Sequence, residues 1–126
     1  MTIRVYYEDT DTGGVVYYAN YLKFCERARS ELFFSKGESP LFEGGHFVVR
    51  HIEADYLGSA VLGDLLEVSV EVVSVRGTGL QMHQKVRRGD ELLFTLDVQL
   101  VYLMTDGRIG RLDAARKEKL KALLEE

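Results

Sequence analysis

Asn20-Tyr21-Leu22-Lys23-Phe24-Cys25-Glu26-Arg27-Ala28-Arg29-Ser30-Glu31-Leu32 is the stretch on which the fold turns. Tyr21, Phe24, Cys25, Ala28 and Leu32 recur at steps of three and four, which gives a helix one apolar stripe. Lys23, Arg27, Ser30 and Glu31 fall largely off that stripe. The spacing therefore predicts a helix with one face to bury. Asn20 is expected as its N-cap, accepting a bond from an unpaired backbone N–H, and Gly37 as its stop, in a left-handed C-terminal cap.

On either side of the helix the pattern changes. Upstream, Ile3 to Glu8 is short and rich in Val and Tyr, the composition of a strand. It leads into Asp9-Thr10-Asp11-Thr12-Gly13-Gly14, a loop by its acids and paired glycines. From His46 onward the period is two. Leu66, Val68, Val70 and Val72 alternate with Glu67, Ser69 and Glu71. Phe94, Leu96, Val98, Leu100 and Tyr102 share one face of Leu92 to Met104, while Leu80, Met82, Gln84 and Val86 alternate less cleanly. Arg76-Gly77-Thr78-Gly79 and Arg88-Gly89-Asp90 supply the hairpin turns. Asp113 is placed to cap a short C-terminal helix carrying Leu120, Leu123 and Leu124.

A long antiparallel meander needs something apolar on its inner face, and only the helix after Asn20 is large enough to supply it. The expectation is an α+β domain spanning residues 1–126, a curved antiparallel sheet wrapped around one long central helix. Its free edges would favour subunit pairing.

The totals narrow the function. The chain has 126 residues and a formal charge of -4, which gives no electrostatic case for nucleic acid. Cys25 is the sole cysteine, so no internal disulfide and no multi-cysteine metal site can form. No stretch approaches the roughly 20 apolar residues of a membrane span, and Met1-Thr2-Ile3-Arg4-Val5 lacks the apolar core of a signal peptide. The expected location is the cytoplasm.

Asp11 is the residue best placed for chemistry. It follows a strand and precedes the N-terminus of the core helix, where unpaired N–H groups and the positive end of the dipole gather. Such N–H groups can polarise a carbonyl and hold an oxyanion, and a carboxylate beside them can activate water or attack directly. The plainer reading makes Asp9 and Asp11 loop acids bonded to their own backbone, which spacing alone does not overturn. A calcium loop beginning at Asp9 fails, because its twelfth position is Asn20 where a bidentate Glu is needed. An aspartyl phosphatase would require a parallel α/β sheet, against the meander read here.

A resemblance goes further. The run from Val5 through Asp9-Thr10-Asp11-Thr12-Gly13-Gly14 to Tyr17-Tyr18-Ala19-Asn20-Tyr21-Leu22, followed by Glu26-Arg27-Ala28-Arg29-Ser30-Glu31, closely resembles the signature of the 4-hydroxybenzoyl-CoA thioesterase family. Within that family it is most similar to the YbgC-type branch associated with the bacterial Tol–Pal system. The likeness continues through Phe47-Val48-Val49-Arg50, Glu53-Ala54-Asp55-Tyr56 and Val75-Arg76-Gly77-Thr78. It implies a hotdog fold and metal-free, cofactor-free hydrolysis of short-chain or aromatic acyl-CoA. It also implies homodimers or homotetramers with active sites at the dimer interface.

Carried over by position, the resemblance makes Asp11 the catalytic aspartate and the Tyr18 backbone amide the carbonyl-polarising donor. It puts Gly14 in the tight turn between them. It assigns Arg76, Gly77 and Thr78 to the coenzyme A moiety and Val48 and Val49 to the acyl pocket. At Tyr18 the YbgC-type branch usually has histidine, whereas the hydroxybenzoyl branch has tyrosine and relies on the main-chain amide. The competing expectation is a non-catalytic scaffold that binds acyl-CoA or an acyl carrier protein. Glu26 and Glu31 are expected to be solvated or ion-paired and Cys25 buried. His46, His51 and His83 are expected in structural or surface roles, and Arg87 and Arg88 at a solvated hairpin tip.

Overall fold

The structure, a computed structural model, describes residues 1–125. Its elements run β1 (Thr2–Arg4), a 3-10 turn (Tyr7–Asp9), α1 (Asn20–Phe34), β2 (Gly45–Tyr56), β3 (Leu65–Val68), β4 (Glu71–Arg76), β5 (Gly79–Arg88), β6 (Glu91–Met104) and α2 (Ala114–Leu124). All strands pair antiparallel in one sheet of order β1-β3-β5-β6-β2, with β4 also paired to β5. The α+β architecture predicted from the period change is the one that forms.

The helix buries the stripe read from its spacing. Tyr21, Phe24, Cys25 and Ala28 are buried, and Phe33 rather than Leu32 completes the row. Against them stand Leu80, Met82 and Val86 of β5, paired with Leu100, Val98 and Phe94 of β6. Each such side chain contributes about 1.5–3 kcal/mol by leaving water. Gln84 interrupts the β5 row yet is fully buried. Its amide donates to the Cys25 carbonyl at 2.9 Å, and its oxygen accepts from Arg29 at 2.8 Å. A satisfied polar group costs little in a core, which is why the less clean alternation still marks an inward face.

Both ends of the sequence-read helix are instructive. Gly37 takes φ +73°, and the N–H groups of Gly37 and Glu38 return to the carbonyls of Phe34 and Phe33 at 3.0 Å each. That is the expected left-handed cap. Asn20, by contrast, is the first helical residue rather than the N-cap; Ala19 holds that place with no side-chain bond. The Asn20 amide instead donates to Asp9 Oδ1 at 3.0 Å. At the C-terminus Asp113 does cap α2, accepting from the Arg116 N–H at 2.9 Å.

Two further expectations are corrected. The strand predicted over Ile3 to Glu8 ends at Arg4. Asp9 accepts the Tyr6 N–H at 2.9 Å and donates its own N–H to Tyr6 at 3.0 Å, curling the chain into a 3-10 turn. Local side-chain bonding outweighs the strand propensity of Val and Tyr there. The meander is also incomplete. Only β4, β5 and β6 follow one another through two-residue turns, while β2 crosses to the far edge beyond β6. The alternating run Leu66 to Val72 is divided into β3 and β4 around Ser69, though its apolar face continues.

Candidate active site

The loop ahead of α1 is a small hairpin hung on a buried acid. The Asp11 N–H bonds to Val15 at 2.9 Å, the Gly14 N–H to Asp11 at 3.0 Å, and Thr10 pairs with Val16. Gly14 sits at φ +82°, a left-handed angle that glycine adopts without a Cβ clash. The hairpin is fixed to the body by the Val16 N–H on Ala60 (2.9 Å) and the Tyr17 N–H on Asp9 (2.8 Å). Asp9, 4% exposed, ties it together by accepting from Tyr6 and from the Asn20 side chain. Asp11 is exposed; its Oδ1 accepts the Gly13 N–H at 2.8 Å, and its Oδ2 has no partner among the described residues. The plainer loop reading thus describes Asp9 and half of the Asp11 carboxylate.

Tyr18 stands where the hairpin turns into α1. The Asn20 N–H bonds to Tyr17 at 2.8 Å and the Leu22 N–H to Ala19 at 3.1 Å, while the Tyr18 N–H has no partner among the described residues. A free donor at the positive end of a buried helix is suited to an acceptor that gains negative charge. The Tyr18 carbonyl is held by the Tyr56 hydroxyl, which donates to it at 2.8 Å. Tyr56 in turn packs edge-on to Phe94, Tyr21 and Tyr18 at centroid distances of 4.9, 5.7 and 6.4 Å. Burial against these rings pushes its phenol pKa up, which keeps the donor protonated.

Alongside α1 runs a cavity of about 660 Å³ between the helix and the inner faces of β2, β5 and β6. Its walls are mostly apolar, with Val48 and Val49 on the β2 side and Glu26 and Arg29 on the helix side. Asp11, Gly14 and Tyr18 do not line it. Arg76 and the Gly77-Thr78 turn join β4 to β5, with the carbonyls of Gly77 and Thr78 accepting from Leu112 and Tyr102 at 2.8 Å each. This turn, level with Val101 and Val48, is far from Tyr18. The row Val86–Phe94–Tyr56 lies seven positions along the strands from the row Gly79–Val101–Val48, or about 24 Å. One chain therefore gathers Asp11, Gly14 and Tyr18 on one segment and leaves Val48, Val49 and Arg76–Thr78 at the other end of the sheet.

The remaining candidates take structural positions. Burial pushes the Cys25 thiol up to about 12, so it stays protonated. His83 pairs with Asp97 at 2.8 Å and His51 with Glu53 at 3.5 Å, on the face away from α1. Arg88 is not a free hairpin cation: it binds Asp64 at 2.7 Å and Glu91 at 2.6 Å. Glu26 and Glu31 are exposed. No three His, Cys, Asp or Glu side chains cluster as metal ligands among the described residues, and no described helix is long and apolar enough to cross a membrane. Sequence reasoning missed Asp9 and Asn20 as the brace of the loop and Tyr56 as the clamp on Tyr18. The last pairing joins residues 38 positions apart, which no local pattern reveals.

Comparison with known proteins gives the site a setting. Residues 13–95 match the model of the thioesterase superfamily. The acyl-CoA thioesterase YbgC of Helicobacter pylori is 50% identical over 86 residues, 68% of this chain; the match spans 65% of that relative, just under two thirds of its length. A probable thioesterase from Bartonella henselae is 37% identical, with a TM-score of 0.80 over 89% of this chain and 95% of that one. A thioesterase from Thermus thermophilus, solved with coenzyme A and zinc, is 31% identical, with a TM-score of 0.81 over 98% of this chain and 92% of that one.

Proposed function

Because the chain belongs to the thioesterase superfamily, we propose that it hydrolyses acyl-CoA thioesters, with Asp11 and the Tyr18 N–H as the reacting groups. The observation that carries this reading is the unpartnered Tyr18 N–H at the start of the buried helix, reached by a loop that presents an exposed carboxylate. The thioester carbonyl accepts from that N–H, whose dipole-assisted bond strengthens as the oxygen gains charge. Asp11, through Oδ2, takes a proton from water as it attacks, or itself attacks to form an anhydride that water then opens. In either route the carbon–sulfur bond breaks and coenzyme A leaves as a thiolate, a leaving group that needs little acid assistance. The bond from Gly13 to Oδ1 orients the carboxylate and leaves the other oxygen for this work. The Tyr18 side chain is not needed as an acid or base, so tyrosine in place of the usual histidine is compatible with turnover. No metal or bound cofactor is assigned a step.

The site is completed by a second copy. β2 is a twelve-residue strand at the sheet edge, and Val49 and Ile52, 51% and 37% exposed, leave apolar surface beside it. A long open edge of this kind invites pairing. A two-fold axis near Ile52 would pair β2 antiparallel with its copy. That arrangement lays the Val48 end of one chain against the Tyr56 and Tyr18 end of the other, offsetting the 24 Å separation of about seven strand positions. Val48, Val49, Arg76, Gly77 and Thr78 then serve a site whose Asp11 belongs to the other copy, and two such dimers would make the tetramer. A cytoplasmic location, where coenzyme A thioesters are held, goes with this reading.

The test is thiol release from a panel of acyl-CoAs by wild type, Asp11→Asn and Ile52→Lys, with mass measured by light scattering. Hydrolysis by a dimer or larger assembly is expected, with at least a hundredfold loss in Asp11→Asn and a less active monomer from Ile52→Lys. Binding of acyl-CoA without hydrolysis of any substrate would favour the scaffold reading instead. An Asp11→Asn variant as fast as wild type would remove Asp11 from the chemistry.

A further inference from the structure

Among the described residues only three amide or charged side chains are buried, Asp9, Asn20 and Gln84, and the first two bond to each other. They flank the reacting groups, with Asp9 two residues before Asp11 and Asn20 two residues after Tyr18. Asp9 is held by neutral donors alone: the Tyr6 N–H reaches its Oδ2 at 2.9 Å and the Asn20 amide its Oδ1 at 3.0 Å. No cation stands within ion-pair distance of it among the described residues. A carboxylate that leaves water with no counter-charge is costly, so stability by itself does not favour an acid at this place.

What the pair does hold is the turn from Tyr17 to Asn20. The Asp9 carbonyl accepts the Tyr17 N–H at 2.8 Å, and Asp9 Oδ1 accepts the Asn20 amide, so one residue grips both ends of the turn. The Asn20 N–H closes the turn on the Tyr17 carbonyl at 2.8 Å, and the unpartnered Tyr18 N–H lies within that closed span. In the other direction Asp9 leads through Thr10, bridged to Val16, to Asp11, whose own N–H is fixed on Val15 at 2.9 Å. The side-chain bond that ties the Asp11 arm of the hairpin to the Tyr18 arm is the one between Asp9 and Asn20.

We propose that Asp9 and Asn20 are positioning residues for the reaction: their bond fixes the Tyr18 N–H relative to Asp11 and thereby sets kcat. A donor and a carboxylate that must meet at one thioester carbon tolerate little drift, and a misplacement of about 1 Å costs on the order of a hundredfold in rate. Ground-state binding draws on the rest of the surface, so KM should change little. What the site needs from the pair is one donor facing one acceptor, and those roles can be exchanged. An asparagine at position 9 keeps an oxygen for the Tyr6 N–H and turns its amide toward an aspartate at position 20. The proposal rests on the thioesterase reading, but it lies within one segment of one chain and does not depend on how two copies pair.

The test measures thiol release from butyryl-CoA and benzoyl-CoA, beside melting curves, for wild type, Asn20→Ala, Asn20→Asp and the double variant Asp9→Asn with Asn20→Asp. Rates are taken well below each melting midpoint, so that they refer to folded protein. Both single variants are expected to lower kcat by about tenfold or more with KM within about threefold, the first by removing the donor and the second by setting one carboxylate against another. The double variant, which restores a donor facing an acceptor, should return kcat to within about threefold of wild type. Single variants that melt lower but keep the wild-type kcat, or that lose only in KM, would overturn the proposal. So would a double variant that regains the wild-type melting temperature and stays as slow as Asn20→Ala, because the pair would then brace the fold without placing the donor. Where a single variant does not fold, the double variant decides by the same comparison with wild type. All these outcomes bear on the positioning role alone. Hydrolysis of neither substrate by wild type, nor of any other in the panel, would overturn the thioesterase reading and this proposal with it.

Discussion

Replacing Tyr56 with phenylalanine tests whether the Tyr18 N–H is held in place from across the sheet. The change removes one oxygen, the donor at 2.8 Å to the Tyr18 carbonyl, and keeps the ring against Tyr21 and Phe94. The stability cost should be small. Tyr18 is exposed, so water can take over its carbonyl, and the net loss falls near the low end for a hydrogen bond, about 0.5–1 kcal/mol. That corresponds to a fall of only a few degrees in melting temperature. The kinetic cost should be larger. Deleting an oxyanion donor outright costs about 2.7–4 kcal/mol, and letting one drift costs part of that. Taking half gives about 1.4–2 kcal/mol, or a ten- to thirtyfold fall in kcat. KM should change little, because the donor bonds most strongly to the oxyanion of the transition state. Steady-state thiol-release kinetics beside a melting curve read both quantities. A kcat within twofold of wild type, or a loss carried entirely by KM, would show that Tyr56 does not position the donor.

Three other perturbations follow from the same structure. Asp9→Ala strands the Tyr6 N–H and the Asn20 amide, and should destabilise the fold by about 2–4 kcal/mol in urea melts; an unchanged midpoint would count against Asp9 as the brace of the loop. Gly79→Ala would bring a Cβ within 2.0 Å of the Leu100 carbonyl oxygen, a backbone atom that cannot swing away, so little folded protein should be recovered. The Val61 N–H, and then Arg88, hold the Asp64 carboxyl below its usual value of 3.8. A carboxyl depressed in the folded state adds stability above its unfolded pKa and loses it as pH falls through the folded one. Wild type should therefore exceed Asp64→Asn in stability near neutrality, with the gap closing below about pH 4. A gap that stayed constant on acidification would contradict that coupling.

Where the sequence is legible and where it is not follows from the range of the forces involved. The α1 stripe from Tyr21 to Ala28, the Gly37 cap, the Asp113 cap and the two-residue turns depend on residues within a few positions of one another and are read correctly, while the last place of the stripe falls to Phe33 rather than Leu32. Asn20 reads wrongly because an Asn before an apolar run is a good N-cap in isolation. Here its amide is claimed by Asp9, eleven residues upstream and brought close only by the loop. The strand over Ile3 to Glu8 fails for the same reason. The site divides along this line too. Asp11, Gly14 and Tyr18 share one continuous segment, so their grouping needs only a hairpin. Tyr56 reaches Tyr18, and Gln84 reaches Arg29, through strand order, which period two does not encode. Val48, Val49 and Arg76–Thr78 lie beyond even that, at the other end of the sheet from Tyr18 in one chain, and only the proposed pairing of two copies would bring them to an Asp11. For them the β2 edge matters more than the loop. A thioesterase built this way should lose activity on dilution below its dimer constant, with Asp11 and Tyr18 still correctly folded in every monomer.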